Sequence, residues 1–356
     1  MKADSSCHAC NRFSCHSVCF AYDFLMQAIN HSVRGRLAPS PTGYLHLGNA
    51  WAFLLAWAAC RSQNGTLVLR MEDIDPDRSR EEFATAIVED LHWLGLDWDE
   101  GPDLGGPYAP YRQSARLDLY RSSLEQLLHA GLAYPCYCTR KELRSLAGAP
   151  HVGDAGAAYP GTCRNLSREQ QQAHEAAGRR ACIRLLCPEH PYSFHDRLHG
   201  LITMKLNQCG GDFALQRSDG VIAYQLAVAV DDGHMRISQV VRGEDILVST
   251  PRQLALFELL GLPRPQEYIH LPLLCDPEGE RLAKRHSSLT LRSLREKGIR
   301  PEVITGYLAQ KAGFFDTLVP LSPHEMLPLF SLARLKAIQA PLCIEQDIVT
   351  TLRRYA

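Results

Sequence analysis

The stretch 36–50, RLAPSPTGYLHLGNA, sets two prolines, a glycine and a histidine between an apolar run ending at Ala38 and the segment LHLGNAWAFLLAWAACRSQNG. The run before it predicts a strand, and the segment after it predicts a helix that Asn64-Gly65 stops. Working outward, TLVLRMED reads as a buried strand bounded by Gly65 and the acidic DIDPDR. In EEFATAIVEDLHWLGLDW, Phe83, Ile87, Leu91 and Leu94 share one helical face. Strand, helix, strand and helix in close succession indicate a parallel α/β sheet. In such a sheet the ligand sits beyond the carboxyl ends of the strands, at the turn that Pro39-Ser40-Pro41-Thr42-Gly43 occupies. The prolines fix φ and Gly43 permits close backbone approach, so the free N–H groups of the helix start can face a phosphate. His46 and Asn49, three residues apart, are helical neighbours and can address one ligand. On composition alone the loop reads equally as a rigid turn with a partly exposed histidine.

With 356 residues, the chain is long enough for two domains or for one domain carrying a large insertion. Its hydrophobic (46%) and charged (22%) fractions are those of a globular protein. No apolar run approaches the ~20 residues that cross a bilayer, so a soluble protein is expected. A net charge of -1 gives no global attraction for nucleic acid, and any RNA contact must come from local patches. Thirteen cysteines, without a signal-like start in residues 1–30, predict reduced thiols, some on metal, in the cytoplasm. Residues 1–30, with Cys7, Cys10, Cys15 and Cys19, read as a disordered extension, and Met26 offers an alternative start.

After a helix over ARLDLYRSSLEQLLHAGL the texture changes, with YPCYC and YPGTCR flanking a loop rich in glycine, alanine and proline. Cys136, Cys138, Tyr159 and Cys163 would suit a closed tetrahedral Zn²⁺ site of structural type. Buried free thiols are the alternative, since Cys182, Cys187, Cys209 and Cys275 show that the chain carries spare cysteines. The α/β texture returns in VIAYQLAVAVDD, ISQVVRGEDIL and the helix TPRQLALFELLG. ERLAKRHSS, residues 280–288, then brings Arg281, Lys284 and Arg285, a charge run that by itself reads as a solvated face.

APSPTGYLHLGN resembles the HIGH signature of class I aminoacyl-tRNA synthetases in its glutamate form, and RLAKR resembles their KMSKS loop. RMEDIDPDRS, AYQLAVAVDD, VVRGEDIL and TPRQLALFELLG resemble the glutamyl-tRNA synthetase catalytic domain in the same order, over roughly residues 34–315. Asn49 stands at the fourth HIGH position, and Arg281 and Ala283 depart from KMSKS, leaving Lys284 as its retained lysine.

The resemblance implies a Rossmann-like catalytic domain over 31–133 and 200–290, a zinc-binding insertion over 134–199, and a short helical region over 291–356 without an anticodon-binding domain. It further implies attack of glutamate on the α-phosphate of ATP. Pro39, Gly43, His46, Gly48, Asn49 and Lys284 would bind ATP, with Mg²⁺ held mainly by ATP oxygens and water. His46 and Lys284 would stabilise charge at the phosphates. Arg36, Ser40, Glu72, Tyr224 and Arg242 would form the glutamate site. Arginine forks suit its carboxylates, and Glu72 suits its ammonium.

The Cys-x-Cys and Tyr-x-x-x-Cys pattern, and only about seventy residues after Lys284, resemble the shortened paralogues of this family. Those activate glutamate without RNA and esterify it to the queuosine base in the anticodon of tRNA(Asp). A monomer with ATP, L-glutamate and queuosine-bearing tRNA(Asp) as partners is the expectation. Arg140, Lys141, Arg144, Arg164, Arg292, Arg295 and Lys297 are candidate RNA contacts. The rival readings are charging of tRNA(Glu) at its 3' end and a non-catalytic RNA-binding paralogue.

Overall fold

The computed structural model describes residues 33–139, 141–143, 159–280, 282, 289–338 and 341–355. The expectations for residues 1–30, Arg140, Arg144, Arg281, Lys284 and Arg285 lie outside the described residues.

Strand β1 (Arg34–Leu37) leads through the Pro-Gly turn into helix α1 (Leu47–Arg61), and the chain returns as β2 (Thr66–Leu69), parallel to β1 in the register Arg34–Thr66 to Leu37–Leu69. Gly65 is required at this return: a Cβ there would lie 2.7 Å from both Cys60 Sγ and the Val33 carbonyl oxygen. Helix α2 (Glu81–Trp93) starts with Glu81 and Glu82, whose charges suit the positive end of the helix dipole. It is followed by α3 (Leu117–His129), β3 (Ala133–Cys136), α4 (Arg168–Ala176) and β4 (Cys182–Leu185). Next come β5 (Tyr192–Asp196), β6 (Gly200–Met204), β7 (Ala214–Gln216), α5 (Tyr224–His234), β8 (Gln239–Gly243), α6 (Thr250–Leu260), β9 (Glu267–Leu271) and β10 (Leu274–Cys275). The last described elements are α7 (Leu291–Glu296), α8 (Pro301–Lys311), α9 (Pro323–Met326), α10 (Leu332–Lys336), β11 (Leu342–Cys343) and α11 (Ile348–Arg353).

The large sheet has the order β6-β5-β9-β8, with β5, β9 and β8 parallel and β6 antiparallel at the edge. Ser238, just ahead of β8, donates its N–H to the Arg34 carbonyl (3.0 Å) and accepts the Arg34 N–H on its hydroxyl (2.9 Å), which sets β1 beside β8. Alternation along the strands sends side chains to two cores. Leu67, Leu69, Val241 and Ile269 join α1 and the C-terminal helices, whereas Val68, Val240 and Tyr268 join α3, α5 and α6. Helices therefore cover both faces of the sheet, as its parallel strands require.

Two boundaries expected from the sequence differ. Tyr192–Asp196, assigned to the insertion, pairs with β9 and β6 in the large sheet, while Ala214–Gln216, assigned to the catalytic part, pairs with β4 in a separate sheet β3-β4-β7. Both allocations are set by partners distant in sequence, which a linear division cannot see. The region after residue 291 also supplies a strand, since Leu342 and Cys343 pair in parallel with Leu274 and Cys275. Among the described residues no helix is long and apolar enough to cross a membrane.

Candidate active site

The Pro-Gly turn is tied down from both sides: the Glu72 N–H reaches the Pro39 carbonyl (2.9 Å) and the Arg80 N–H the Pro41 carbonyl (3.0 Å). His46 is the N-cap of α1. Its Nδ1 accepts the Gly48 N–H (3.1 Å), and Asn49 Oδ1 accepts the His46 N–H (3.0 Å), a reciprocal capping box. An accepting Nδ1 leaves the proton of the neutral ring on Nε2. Gly48 makes room for this, because a Cβ would sit 3.1 Å from the imidazole. Asn49, expected to address a ligand together with His46, thus spends its carbonyl oxygen on the helix start.

Arg36, Pro39, Ser40, His46, Gly48, Asn49, Glu72, Tyr224 and Arg242 line one cavity of about 350 Å³; Gly43 belongs to the turn but not to the lining. A second hollow of about 440 Å³ shares Ser40, Glu72 and Tyr224 with the first. Lys284 lies outside the described residues, but the chain on either side of it is held at the same place. Leu282 donates its N–H to the Leu274 carbonyl (3.1 Å) and lines the cavity, and Leu291 donates to the Leu45 carbonyl (2.8 Å) beside a backbone bridge between His46 and Thr290.

The charges in this cavity rest on a buried ionic network that the sequence reading missed. Arg70, fully buried, meets Asp232 at 2.6 Å, Glu72 at 3.1 Å and Asp231 at 3.7 Å. Asp231 also accepts from Arg116 Nε (2.7 Å), Gln113 Nε2 (2.9 Å) and the Tyr120 hydroxyl (2.8 Å). Burial works against the charge of Arg70, but the three carboxylates outweigh it and hold its pKa well above the ordinary value. Burial raises the pKa of the Glu72 carboxyl, against the pull of Arg70 and Arg36. Arg36 donates from Nη1 to the Val241 carbonyl (3.1 Å), while its buried Nε, 3.6 Å from Asp232, has no hydrogen-bond partner among the described residues. Burial lowers its pKa, with Asp232 opposing. Arg242 donates to His270, Gln253 and Thr250. Two signals could have exposed the network: paired acids closing the otherwise apolar AVAVDD, and an arginine directly following TLVL. Asp245, also unforeseen, lines the cavity.

The cysteine cluster forms on the small sheet. The sulfurs of Cys136, Cys138 and Cys163 lie within 4.8 Å of one another, with Cys138 and Cys163 3.6 Å apart. The Tyr159 hydroxyl is 3.3 Å from Cys136 Sγ and 3.8 Å from Cys138 Sγ, and it accepts the Cys163 N–H at 2.9 Å. Zn–S bonds of about 2.3 Å place tetrahedral sulfurs about 3.8 Å apart, so this group has the dimensions of such a site. A hydrogen bond from Cys182 across the β3–β4 pairing, stronger here than the opposing effect of burial, holds the Cys136 thiol well below the usual thiol range. Of the basic candidates, Arg164 is committed to Asp212 (2.7 and 2.8 Å), and Arg292 lies over the Tyr44 ring and pairs with Glu296.

The family model for class I tRNA synthetases (E and Q), catalytic domain, matches residues 32–315. The chain therefore belongs to the class I tRNA synthetases of the glutamate and glutamine group. Within that group it is 57% identical over 322 residues, 90% of this chain and 98% of the relative, to the Glutamyl-Q tRNA(Asp) synthetase of Nitratidesulfovibrio vulgaris. It is 48% identical to the protein of that name from Symbiobacterium thermophilum, over 89% of this chain and 98% of the relative. Among solved structures, a glutamate tRNA ligase from Elizabethkingia meningosepticum in complex with its amino acid aligns with a TM-score of 0.75 and 30% identity, covering 91% of this chain and 70% of that one.

Proposed function

We propose that the chain activates glutamate with ATP, without requiring RNA, and then transfers it to the queuosine base in the anticodon of tRNA(Asp). The observation that carries this reading is the single cavity in which a histidine-capped helix start meets Arg36, Glu72, Tyr224 and Arg242. The near full-length similarity to Glutamyl-Q tRNA(Asp) synthetases supports the choice of acceptor.

In the first step an oxygen of the glutamate α-carboxylate attacks the α-phosphate, and the bond to pyrophosphate breaks. The protein contributes positioning and charge stabilisation, not a nucleophile. Arg36 and Arg242 receive the carboxylates, Glu72 the ammonium, and the Ser40 and Tyr224 hydroxyls complete the contacts. The backbone N–H groups of the α1 start and His46 hold phosphate oxygens, and Lys284 neutralises the departing pyrophosphate. Mg²⁺ accompanies ATP. In the second step a queuosine hydroxyl attacks the activated carbonyl and releases AMP; the hollow that shares Ser40, Glu72 and Tyr224 gives that hydroxyl an approach. Cys136, Cys138 and Cys163, with Tyr159, would hold a structural Zn²⁺ that cross-links the small sheet. The protein acts as a cytoplasmic monomer.

The test is to charge queuosine-containing tRNA with labelled glutamate, digest it with a nuclease and map the label. Label on the anticodon fragment of tRNA(Asp) is expected. Label on the terminal adenosine of tRNA(Glu) would establish the charging enzyme instead. Absence of glutamate-dependent pyrophosphate exchange from protein carrying its metal would favour a binding module.

A further inference from the structure

Arg242 is placed by a chain of buried groups on three neighbouring strands. Arg242 on β8 pairs in register with His270 on β9, and Asp196 on β5 pairs with Tyr268, two residues before His270. Asp196 and His270 are fully buried. The His270 Nδ1 lies 2.7 Å from Asp196 Oδ2, and its Nε2 lies 3.1 Å from Arg242 Nε. Arg242 Nε–H can only donate, so His270 must accept on Nε2 and carry its proton on Nδ1, where Asp196 receives it. Asp196 is itself immobilised: it accepts the backbone N–H of His270 (3.0 Å), of Leu198 (2.9 Å) and of His199 (3.0 Å). Thr250 and Gln253 take one N–H from each terminal nitrogen of Arg242. Of five guanidinium N–H groups, two remain among the described residues for a ligand.

We infer that Asp196 and His270 are positioning residues for Arg242, fixing the imidazole tautomer whose Nε2 lone pair orients the guanidinium toward a carboxylate of glutamate. This rests on the reading of Arg242 as a glutamate contact. In the other tautomer an Nε2–H would oppose the Arg242 Nε–H, donor against donor, and the fork would turn away. Burial keeps the ring neutral, pushing the His270 pKa down to about 4 with Asp196 opposing, so the accepting lone pair is present at neutral pH. A carboxylate that orients a ligating or catalytic histidine through its second nitrogen is a general device; here the histidine orients an arginine.

The experiment is glutamate-dependent ATP–pyrophosphate exchange with His270→Ala, His270→Gln and Asp196→Asn, each also made in an Arg242→Ala background, with kcat/KM taken at low glutamate. His270→Ala is expected to raise the KM for glutamate about 10- to 50-fold, with the KM for ATP within about twofold. His270→Gln, whose amide donates to Asp196 and accepts from Arg242, should recover most of that loss. Asp196→Asn should raise the KM for glutamate as well, and covers the case in which His270→Ala does not fold. None of the three should add to the effect of Arg242→Ala. An unchanged KM for glutamate, an equal rise in the KM for ATP, or additivity with Arg242→Ala would overturn the inference. A normal KM in Arg242→Ala alone would instead overturn the glutamate-site reading beneath it.

Discussion

Asp90 on α2 is buried, and its Oδ2 has no hydrogen-bond partner among the described residues. Burial lifts its pKa from 3.8 to about 6, with Arg295 opposing. The folded chain therefore holds this proton more tightly than the unfolded chain. The associated stability is complete below the unfolded pKa and is lost as pH rises through about 6. Asp90→Asn removes that titration, so urea denaturation should find the variant more stable than the parent at pH ~8, with the gain shrinking toward pH ~4. An offset that does not change with pH would count against this account. Asp90 was not legible in the sequence, because in EEFATAIVEDLHW an acid near the buried face looks like any solvated helix charge. Arg36, Glu72, Tyr224 and Arg242 were legible as a set through the order of their motifs. What each touches was not, since the partners Val241, Asp232 and His270 come from other strands and helices.

Helix α1 shows what an element's own chemistry decides. Its start was readable from the Pro-Gly turn and its end from Asn64-Gly65, because both are local backbone requirements. The division of labour inside the start was not readable: His46 Nδ1 and Asn49 Oδ1 serve the cap, and the phosphate role proposed for His46 falls to Nε2. His46→Asn separates the two roles. Asparagine caps as well as any residue, so the unfolding free energy should stay within about 0.5 kcal/mol of the parent's and the thermal midpoint close to it. Loss of the imidazole donor should lower pyrophosphate exchange on the order of 10²-fold. A fall in midpoint with intact exchange would reverse the assignment. At this scale the strands were harder to read than the helices. YSFHD and ALQ go to the large and small sheets respectively through pairings with β9 and β4 that no local pattern encodes.

Across the whole molecule, the buried charges join parts of the chain that lie far apart in sequence. Arg70 follows β2, Arg116 and Tyr120 stand at α3, and Asp231 and Asp232 lie in the last turns of α5. Removing Asp231 leaves Arg116 buried without a carboxylate while Arg70 keeps Asp232 and Glu72, so Asp231→Ala should cost about 3–5 kcal/mol, read as a lower urea midpoint. A loss below about 1 kcal/mol would mean that water satisfies the stranded Arg116. The last described residues tie into this architecture through two residue pairs, Leu274–Leu342 and Cys275–Cys343, and Leu274 faces the cavity. This segment is thus a buttress for the cavity: a protease cut ahead of Leu342 should slacken one wall and lower pyrophosphate exchange, although Arg36, Glu72, Tyr224 and Arg242 all stay in the chain.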